Sequence, residues 1–194
     1  KICCGASNNS TNLKFNSHFG THIDFPYHFS DSGKKGELYD PEKFIFDWVQ
    51  VICLENNNYS DYLIKQKNIM DFNFDKKTEF LIIKTGFCNI RHEREYWENY
   101  PGIHADLAKY FKRRMPNLRA IGLDTISISS YQNRSHGRIA HKKFLIENNI
   151  LIVEDMNLKL VDNNLRIDKM IVSPLRFKNS DGAPTTIFAN IDSI

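Results

Sequence analysis

Histidine and aspartate side chains cluster near the start of the chain, in the stretch H-F-G-T-H-I-D-F-P-Y-H that begins at His18. Three of the seven histidines, His18, His22 and His28, lie in this stretch together with Asp24. Imidazole nitrogens and a carboxylate suit zinc, manganese or iron(II) better than calcium. The stretch therefore predicts a site for a divalent transition metal.

The number of these groups indicates a catalytic site rather than a structural one. His18, His22 and Asp24 supply three ligands, and a structural ion would need four from the protein. An ion with an open position can activate a water molecule, and His28 could then carry protons to and from the reacting atoms. The alternative is that the four polar side chains lie on an exposed strand face without any ion.

The alternation of residue types predicts how these side chains are positioned. The apolar residues of this stretch stand at odd positions and most of its polar residues at even ones, so a strand over 12–24 would place His18, His22 and Asp24 on one face. The apolar positions are Leu13, Phe15, Phe19, Ile23 and Phe25. In a straight strand the Cα atoms of His18 and His22 would lie roughly 13 Å apart, too far to share an ion. We therefore expect a bend at Gly20.

Two further candidate ligands lie far along the chain. His141 falls within a helical pattern, and Glu154 closes the apolar run that begins at Ile150. A carboxylate at the end of a buried strand is costly unless a partner neutralises it. That partner could be a metal ion or a nearby arginine or lysine.

The rest of the chain alternates between strand-like and helix-like patterns, which predicts an α/β fold. Apolar runs predict strands at 48–54, 80–84, 118–123, 150–153, 167–172 and 185–191. Helical periodicity predicts helices at 61–70, 103–114 and 134–147. Loops are expected at 29–43 and 179–184.

The composition is that of an ordinary globular protein of 194 residues, with 41% hydrophobic residues, 25% charged residues and a net charge of +3. This length fits one domain over 1–194. The interspersed charges do not indicate nucleic-acid binding, and no apolar run is long enough to span a membrane. The four cysteines have neither zinc-ribbon nor C-x-x-C spacing, so we expect a cytoplasmic protein.

Several other side chains have both a functional and a structural interpretation. Arg134, His136 and Arg138 could bind an anionic substrate group, although an exposed helix start explains them more simply. Tyr100 could cap a substrate pocket or pack between elements. Asp124 follows a predicted strand, where a turn-capping role is favoured over a catalytic one.

The opening stretch resembles the H-x-G-T-H-x-D-x-P-x-H signature of the putative cyclase superfamily, which includes bacterial kynurenine formamidase and isatin hydrolase. Further similarities follow in the family's order and cover nearly the whole chain: Leu81-Ile-Ile-Lys-Thr-Gly86, Ile121-Gly-Leu-Asp-Thr125, Ala140-His141 through Glu154, and Asp181-Gly-Ala-Pro184. The interval from His141 to Glu154 is one residue longer than is usual in the family. Members also begin with a strand and a P-G loop upstream of the signature, where this chain has only a short segment.

The resemblance implies a metal-dependent amide hydrolase of the swivelling β/β/α type, with a mixed sheet flanked by helices. His18, His22 and Asp24 would hold one zinc or manganese ion. Asp24, His141 and Glu154 would hold a second where two are present, with Asp24 bridging and His28 as the catalytic histidine. Family members are often oligomeric, so a homodimer or homotetramer is expected.

Together these observations predict a hydrolase that opens an amide or lactam C–N bond of a small molecule. Phe25, Tyr27 and Phe29, near the signature, could line a pocket for an aromatic substrate or could equally pack in the core. The residues do not identify the substrate-binding side chains. Two alternatives remain: a metal-binding protein without turnover, and a cyclase or dehydratase that uses the ion as a Lewis acid. His28 argues against the first alternative, because a structural site needs no proton carrier.

Overall fold

A computed structural model describes residues 1–54 and 59–193. Eight strands form one mixed sheet in the order β2-β9-β10-β1-β8-β7-β5-β3, and β4 pairs with β6 separately. The ten strands are β1 His22–Asp24, β2 Ile45–Phe46, β3 Val49–Cys53, β4 Leu63–Ile64, β5 Phe80–Lys84, β6 Gly102–Ile103, β7 Ala120–Leu123, β8 Leu151–Glu154, β9 Leu165–Pro174 and β10 Gly182–Ser193.

The half of the sheet that ends at β3 is parallel and largely buried. Strands β3, β5, β7 and β8 run parallel, and every residue of β5, β7 and β8 is buried. Continuous apolar runs form such strands because both faces of a parallel sheet are covered. The antiparallel part, which contains β1, β9 and β10, completes a mixed sheet. The predicted α/β fold class is confirmed.

The described part of the chain contains three α-helices: α1 Arg94–Glu98, α2 Leu107–Arg114 and α3 Arg134–His141. Leu107, Ala108, Tyr110 and Phe111 form the buried stripe of α2, as the helical periodicity of that segment predicts. A π-helical segment, Lys142–Glu147, continues α3. A π turn accommodates one residue more than an α turn. This segment begins after His141, so the additional residue between His141 and Glu154 does not displace His141 from α3.

Two sequence predictions differ from the structure. The strand predicted over 12–24 is reduced to β1, because residues 17–21 form turns and bends. The helix predicted over 61–70 is absent: Asp61 and Tyr62 have positive φ, and Leu63–Ile64 pairs with Gly102–Ile103. Leu63 and Ile64 become buried in this short two-stranded sheet, whereas Tyr62 and Met70 are exposed.

No helix in the described ranges has the length and apolar character that a membrane crossing requires.

Candidate metal centre

Strand β1 and its register with β8 bring three of the predicted ligands together. His22 and Asp24 are two residues apart on β1, so their side chains lie on the same face. His22 is the pairing partner of Glu154 on β8. The three groups are at most 4% exposed, and His22 Nε2 lies 3.5 Å from Asp24 Oδ1 and 3.3 Å from Glu154 Oε2.

A turn at Gly20 returns His18 to this cluster. Gly20 has φ +64°, in the left-handed region that glycine adopts without strain, so the expected bend lies where it was predicted. His18 Nδ1 reaches 2.8 Å from Asp24 Oδ1. The His18 ring packs directly on Gly182, where an added Cβ would lie 2.5 Å from Cε1. The convergence therefore depends on a turn and a close backbone approach rather than on strand alternation.

Helix α3 contributes His141 from the opposite side. His141 Nε2 lies 3.4 Å from Asp24 Oδ2 and 3.4 Å from Glu154 Oε1. The structure thus brings together all the predicted ligands, and Asp24 contacts His18, His22 and His141.

Backbone carbonyls fix the orientation of two of the imidazoles. His22 Nδ1 donates to Gly20 O at 2.8 Å, and His141 Nδ1 donates to Gly137 O at 2.8 Å. A carbonyl oxygen can only accept, so the proton of each neutral ring lies on Nδ1 and the lone pair of Nε2 points at Asp24 and Glu154. This second hydrogen bond is the arrangement that orients histidine ligands of metal ions.

Asp24 is a buried carboxylate without a hydrogen-bond donor among the described residues. Both of its oxygens lack a partner of acceptable geometry, although histidine nitrogens lie 2.8–3.5 Å away. Lone pairs that face lone pairs in a buried site repel each other unless a cation lies between them. The donor set and the orphaned carboxylate fit a divalent metal.

Two triplets have ligand atoms within 4.8 Å of one another: His18, Asp24 and His28, and His22, Asp24 and Glu154. They share Asp24, as the two predicted ligand sets do. The other members differ from the predicted sets. The first triplet contains His28 in place of His22, and the second contains His22 in place of His141.

Without an ion, protons occupy the place of the positive charge. Burial opposes the charged form of His22, but Glu154 and Asp24 outweigh it and raise its pKa to about 9. Burial likewise opposes the charged form of His141, whose contacts with Asp24 and Glu154 raise its pKa to about 10. The same contacts hold the pKa of Asp24 far below its usual range despite its burial. The cluster binds positive charge strongly.

Glu154 is oriented by two donors from the loop after β7. Ser127 Oγ donates to Glu154 Oε1 at 3.0 Å, and the backbone N–H of Ile128 donates to the same oxygen at 2.7 Å. Glu154 Oε2 remains directed at His22. This hydrogen bonding fixes the carboxylate in the cluster.

His28 lies at the edge of the cluster, in a short 3-10 turn, Pro26–His28. Its Nδ1 lies 3.2 Å from Asp181 Oδ2, and its ring centroid is 4.0 Å from that of His18. Burial and the charges of His18 and His141 lower the pKa of His28, so the ring is neutral near pH 7. A neutral, partly exposed imidazole can accept a proton.

The sequence did not assign a role to Asp181, which the structure places beside both His18 and His28. Its Oδ2 lies 2.9 Å from His18 Nε2, and its Oδ1 accepts from Ser17 Oγ. The D-G-A-P motif that begins at Asp181 was the available signal. Asp181 reaches the cluster because β10, which begins at the next residue, pairs with β1.

Two other candidates have structural roles. Asp124 accepts from Thr85 N, Thr85 Oγ1 and Gly86 N, so it caps the turn after β5, as favoured from the sequence. His136 Nε2 accepts from Ala105 N and thereby connects α3 to the segment before α2.

A cavity of about 530 Å³ opens onto the cluster. His18, His22, His28, His141 and Glu154 line one side of it. Tyr100, Phe29, Arg134 and Arg138 line the remainder, together with serines of the loop after β7. The cavity has the size of a small-molecule site.

Comparisons with known proteins agree with this geometry. The family model described as "Putative cyclase" matches residues 3–130. A kynurenine formamidase from Bacillus cereus is 28% identical over 172 residues, which cover 89% of this chain and 75% of that protein.

Solved structures share the fold. Isatin hydrolase A from Labrenzia aggregata superimposes with a TM-score of 0.74 at 17% identity, covering 94% of this chain and 76% of that one. A protein from Bacillus stearothermophilus, described as a "predicted metal-dependent hydrolase", superimposes with a TM-score of 0.68 at 22% identity, covering 95% and 83%.

Proposed function

Because this chain belongs to the putative cyclase family, whose signature its sequence resembles, we propose that it is a metal-dependent hydrolase that opens an amide or lactam C–N bond. The observation that supports this proposal best is the buried, donor-free carboxylate of Asp24 facing the Nε2 lone pairs of His22 and His141. Such an arrangement requires positive charge, which a metal ion can supply, and His22 and His141 line a substrate-sized cavity.

The ligands we propose are His18, His22, Asp24, His141 and Glu154. Mixed imidazole and carboxylate donors favour zinc or manganese. Asp24 is the natural bridge if two ions bind, because it belongs to both clusters of potential ligand atoms. A bound divalent ion supplies Lewis acidity toward a carbonyl and lowers the pKa of a coordinated water.

His28 is the proposed acid–base residue. Its neutral ring can take a proton from the attacking water and return it to the leaving nitrogen. Asp181 orients the His28 ring through its contact with Nδ1. Either ring nitrogen, Nδ1 or Nε2, can gain or lose a proton. The partly exposed position of His28 at the mouth of the cluster lets it reach a substrate in the cavity.

The relatives support an aryl amide as the substrate class. The B. cereus relative bears the name kynurenine formamidase, and a structural neighbour bears the name isatin hydrolase. We propose a small aromatic amide or lactam, with N-formylkynurenine and isatin as the first compounds to assay.

The test combines metal content with activity. We expect purified wild-type protein to retain zinc or manganese and to hydrolyse a member of an amide panel that includes both compounds. His28→Gln should retain the metal and lose activity by roughly 10²-fold or more, because it removes proton transfer but not a principal ligand. His22→Ala should lose metal and activity together.

The matched control is His92→Ala, which changes an exposed histidine outside the cavity and should leave both metal and activity intact. Metal retained without hydrolysis of any panel member would contradict the proposal and favour a binding protein. Conversion of a substrate by ring closure or by loss of water would favour the cyclase or dehydratase alternative.

A further inference from the structure

One helix face connects the metal cluster with two arginines. Arg134, Arg138 and His141 are spaced i, i+4 and i+7 on α3, so they lie on one stripe of the helix. All three line the same cavity. At a rise of about 1.5 Å per residue, Arg138 lies about 4.5 Å and Arg134 about 10.5 Å along the helix axis from His141.

Neither arginine is neutralised by the protein. Within residues 1–54 and 59–193, the arginine ion pairs involve Arg91, Arg94, Arg119 and Arg166, and no ion pair includes Arg134 or Arg138. The Arg134 guanidinium lies over the Tyr131 ring at 4.7 Å, which holds its position but leaves its charge uncompensated. Like charges at i and i+4 destabilise a helix slightly, so the pair is retained at a small cost.

Tyr100 is an independent observation pointing to a ligand at the same place. Its side chain is only 6% exposed, it lines the cavity, and its hydroxyl has no hydrogen-bond partner among the described residues. Burial and the charge of Glu154 raise the pKa of Tyr100 to about 12, while Arg134 opposes the shift. The hydroxyl therefore stays protonated and lies within the influence of both the metal cluster and Arg134.

These three side chains offer donors and no compensating carboxylate. Guanidinium groups only donate, and a Tyr hydroxyl can donate while its ring packs against an aromatic substrate. The ligand that complements such a wall carries a carboxylate.

We propose that Tyr100, Arg134 and Arg138 form an anion subsite that binds a carboxylate on the substrate and so makes this protein selective for anionic aryl amides. The proposal rests on the hydrolase function proposed above. The positions on α3 place the carboxylate roughly 5–10 Å from the ligand His141, measured along the helix. A para-substituted aryl formamide has its amide and its carboxylate at about that separation.

The substrate pair that tests the subsite is 4-formamidobenzoate and its methyl ester. The two compounds share the aryl formamide and differ in charge. Because the ester group withdraws electrons more strongly than the carboxylate, intrinsic reactivity favours hydrolysis of the ester compound rather than of the acid. We expect the metal-loaded wild-type protein to favour the carboxylate by roughly tenfold or more in kcat/KM, as a charge-assisted contact requires. Arg134→Gln and Arg138→Gln should each reduce that ratio, mainly by raising KM for the carboxylate, and Tyr100→Phe should reduce it less.

Two controls accompany these variants. Arg134→Lys keeps the charge and should restore part of the preference. Arg113→Gln removes an exposed arginine of α2 that does not line the cavity, and it should leave the ratio unchanged. Circular dichroism and metal content confirm that each variant is folded and loaded.

A binding measurement separates this proposal from the hydrolase function. Calorimetric titration should show tighter binding of 4-aminobenzoate than of its methyl ester, with the difference lost in Arg134→Gln. If no amide is cleaved but this difference holds, the hydrolase proposal fails and the subsite stands. If both esters and acids are cleaved and bound equally, or the arginine variants affect them equally, the subsite is overturned and the hydrolase stands.

Discussion

Asp24 determines the chemistry of the cluster at the scale of single residues. A fully buried carboxylate normally has hydrogen-bond donors, yet this one faces three imidazoles without an aligned N–H. Two of those imidazoles use Nδ1 to bind backbone carbonyls. The cluster therefore has two charge-balanced states, one with protons on the histidines and one with metal.

The pH dependence of the metal-free protein follows from the first of these states. The folded-state pKa values of His22 and His141, about 9 and about 10, lie above the ordinary 6.5. Their contribution to stability is therefore complete below pH 6.5 and disappears as pH rises through 9–10. We expect the unfolding temperature of chelator-treated protein to fall between pH 7 and pH 10.

The metal-loaded protein is the control, because its ligand histidines are deprotonated throughout that range. Its unfolding temperature should fall less over the same pH interval. Parallel curves for the two forms would contradict the assignment of proton binding to these histidines.

At the scale of elements, sequence patterns located the strands better than the turns. Phe80–Lys84 is a strand with the predicted bounds, because five successive apolar or amphipathic side chains need cover on both faces. The stretch 12–24 misleads, since its alternation continues through residues that form a turn. Alternation predicts which side chains would share a face if the segment were a strand. At Gly20, however, the backbone has a positive φ and the chain turns.

The register between distant strands could not be read from the sequence. Glu154 lies beside His22, and Asp181 beside His18, only because β8 and β10 flank β1. His18, His22, Asp24 and His28 could be proposed from one local motif, and family resemblance supported His141 and Glu154. Asp181 had no such spacing signal of its own.

Gly182 is a point of close approach between β10 and the turn that carries His18. An added Cβ would lie 2.5 Å from the His18 ring, so Gly182→Ala should displace His18. We expect lower metal occupancy and a loss of about 1–3 kcal/mol in the free energy of unfolding, as in other overpacked sites. Denaturant unfolding and metal analysis measure the two effects.

A double variant shows whether the clash is responsible. His18→Ala with Gly182→Ala removes the ring that the new methyl group would meet. Its stability should exceed the sum expected from the two single variants, because the sites are in contact. Additive losses would mean that Gly182 is required for another reason.

At the scale of the whole molecule, the cluster connects parts of the chain that are far apart in sequence. Its ligands come from the turn before β1, from β1 itself, from α3 and from β8. An ion that binds the folded state but not the unfolded chain stabilises the fold by an amount that grows logarithmically as its free concentration rises above Kd. Removal of metal should therefore loosen the whole domain rather than one loop.

We expect chelation to lower the unfolding temperature by several degrees. Loss of the bound ion removes a few kcal/mol of stability, and each kcal/mol shifts the unfolding temperature by about 2–4 °C at this chain length. Readdition of zinc or manganese should restore it. A His22→Ala variant should show no such response, and an unchanged unfolding temperature in wild type would argue against a tightly bound ion.

Strand β1 has only three residues, and both of its neighbours, β8 and β10, come from the last quarter of the chain. During synthesis on the ribosome, His22 and Asp24 emerge long before β8 and β10, and they remain without their partner strands until those strands have been made. Pairings of such long sequence separation form slowly, because loop closure precedes the contacts that compensate for it. We therefore expect the metal centre to mature only after β8 and β10 have been made, because a chain that stops before β8 lacks the partner strand that holds the ligands in place.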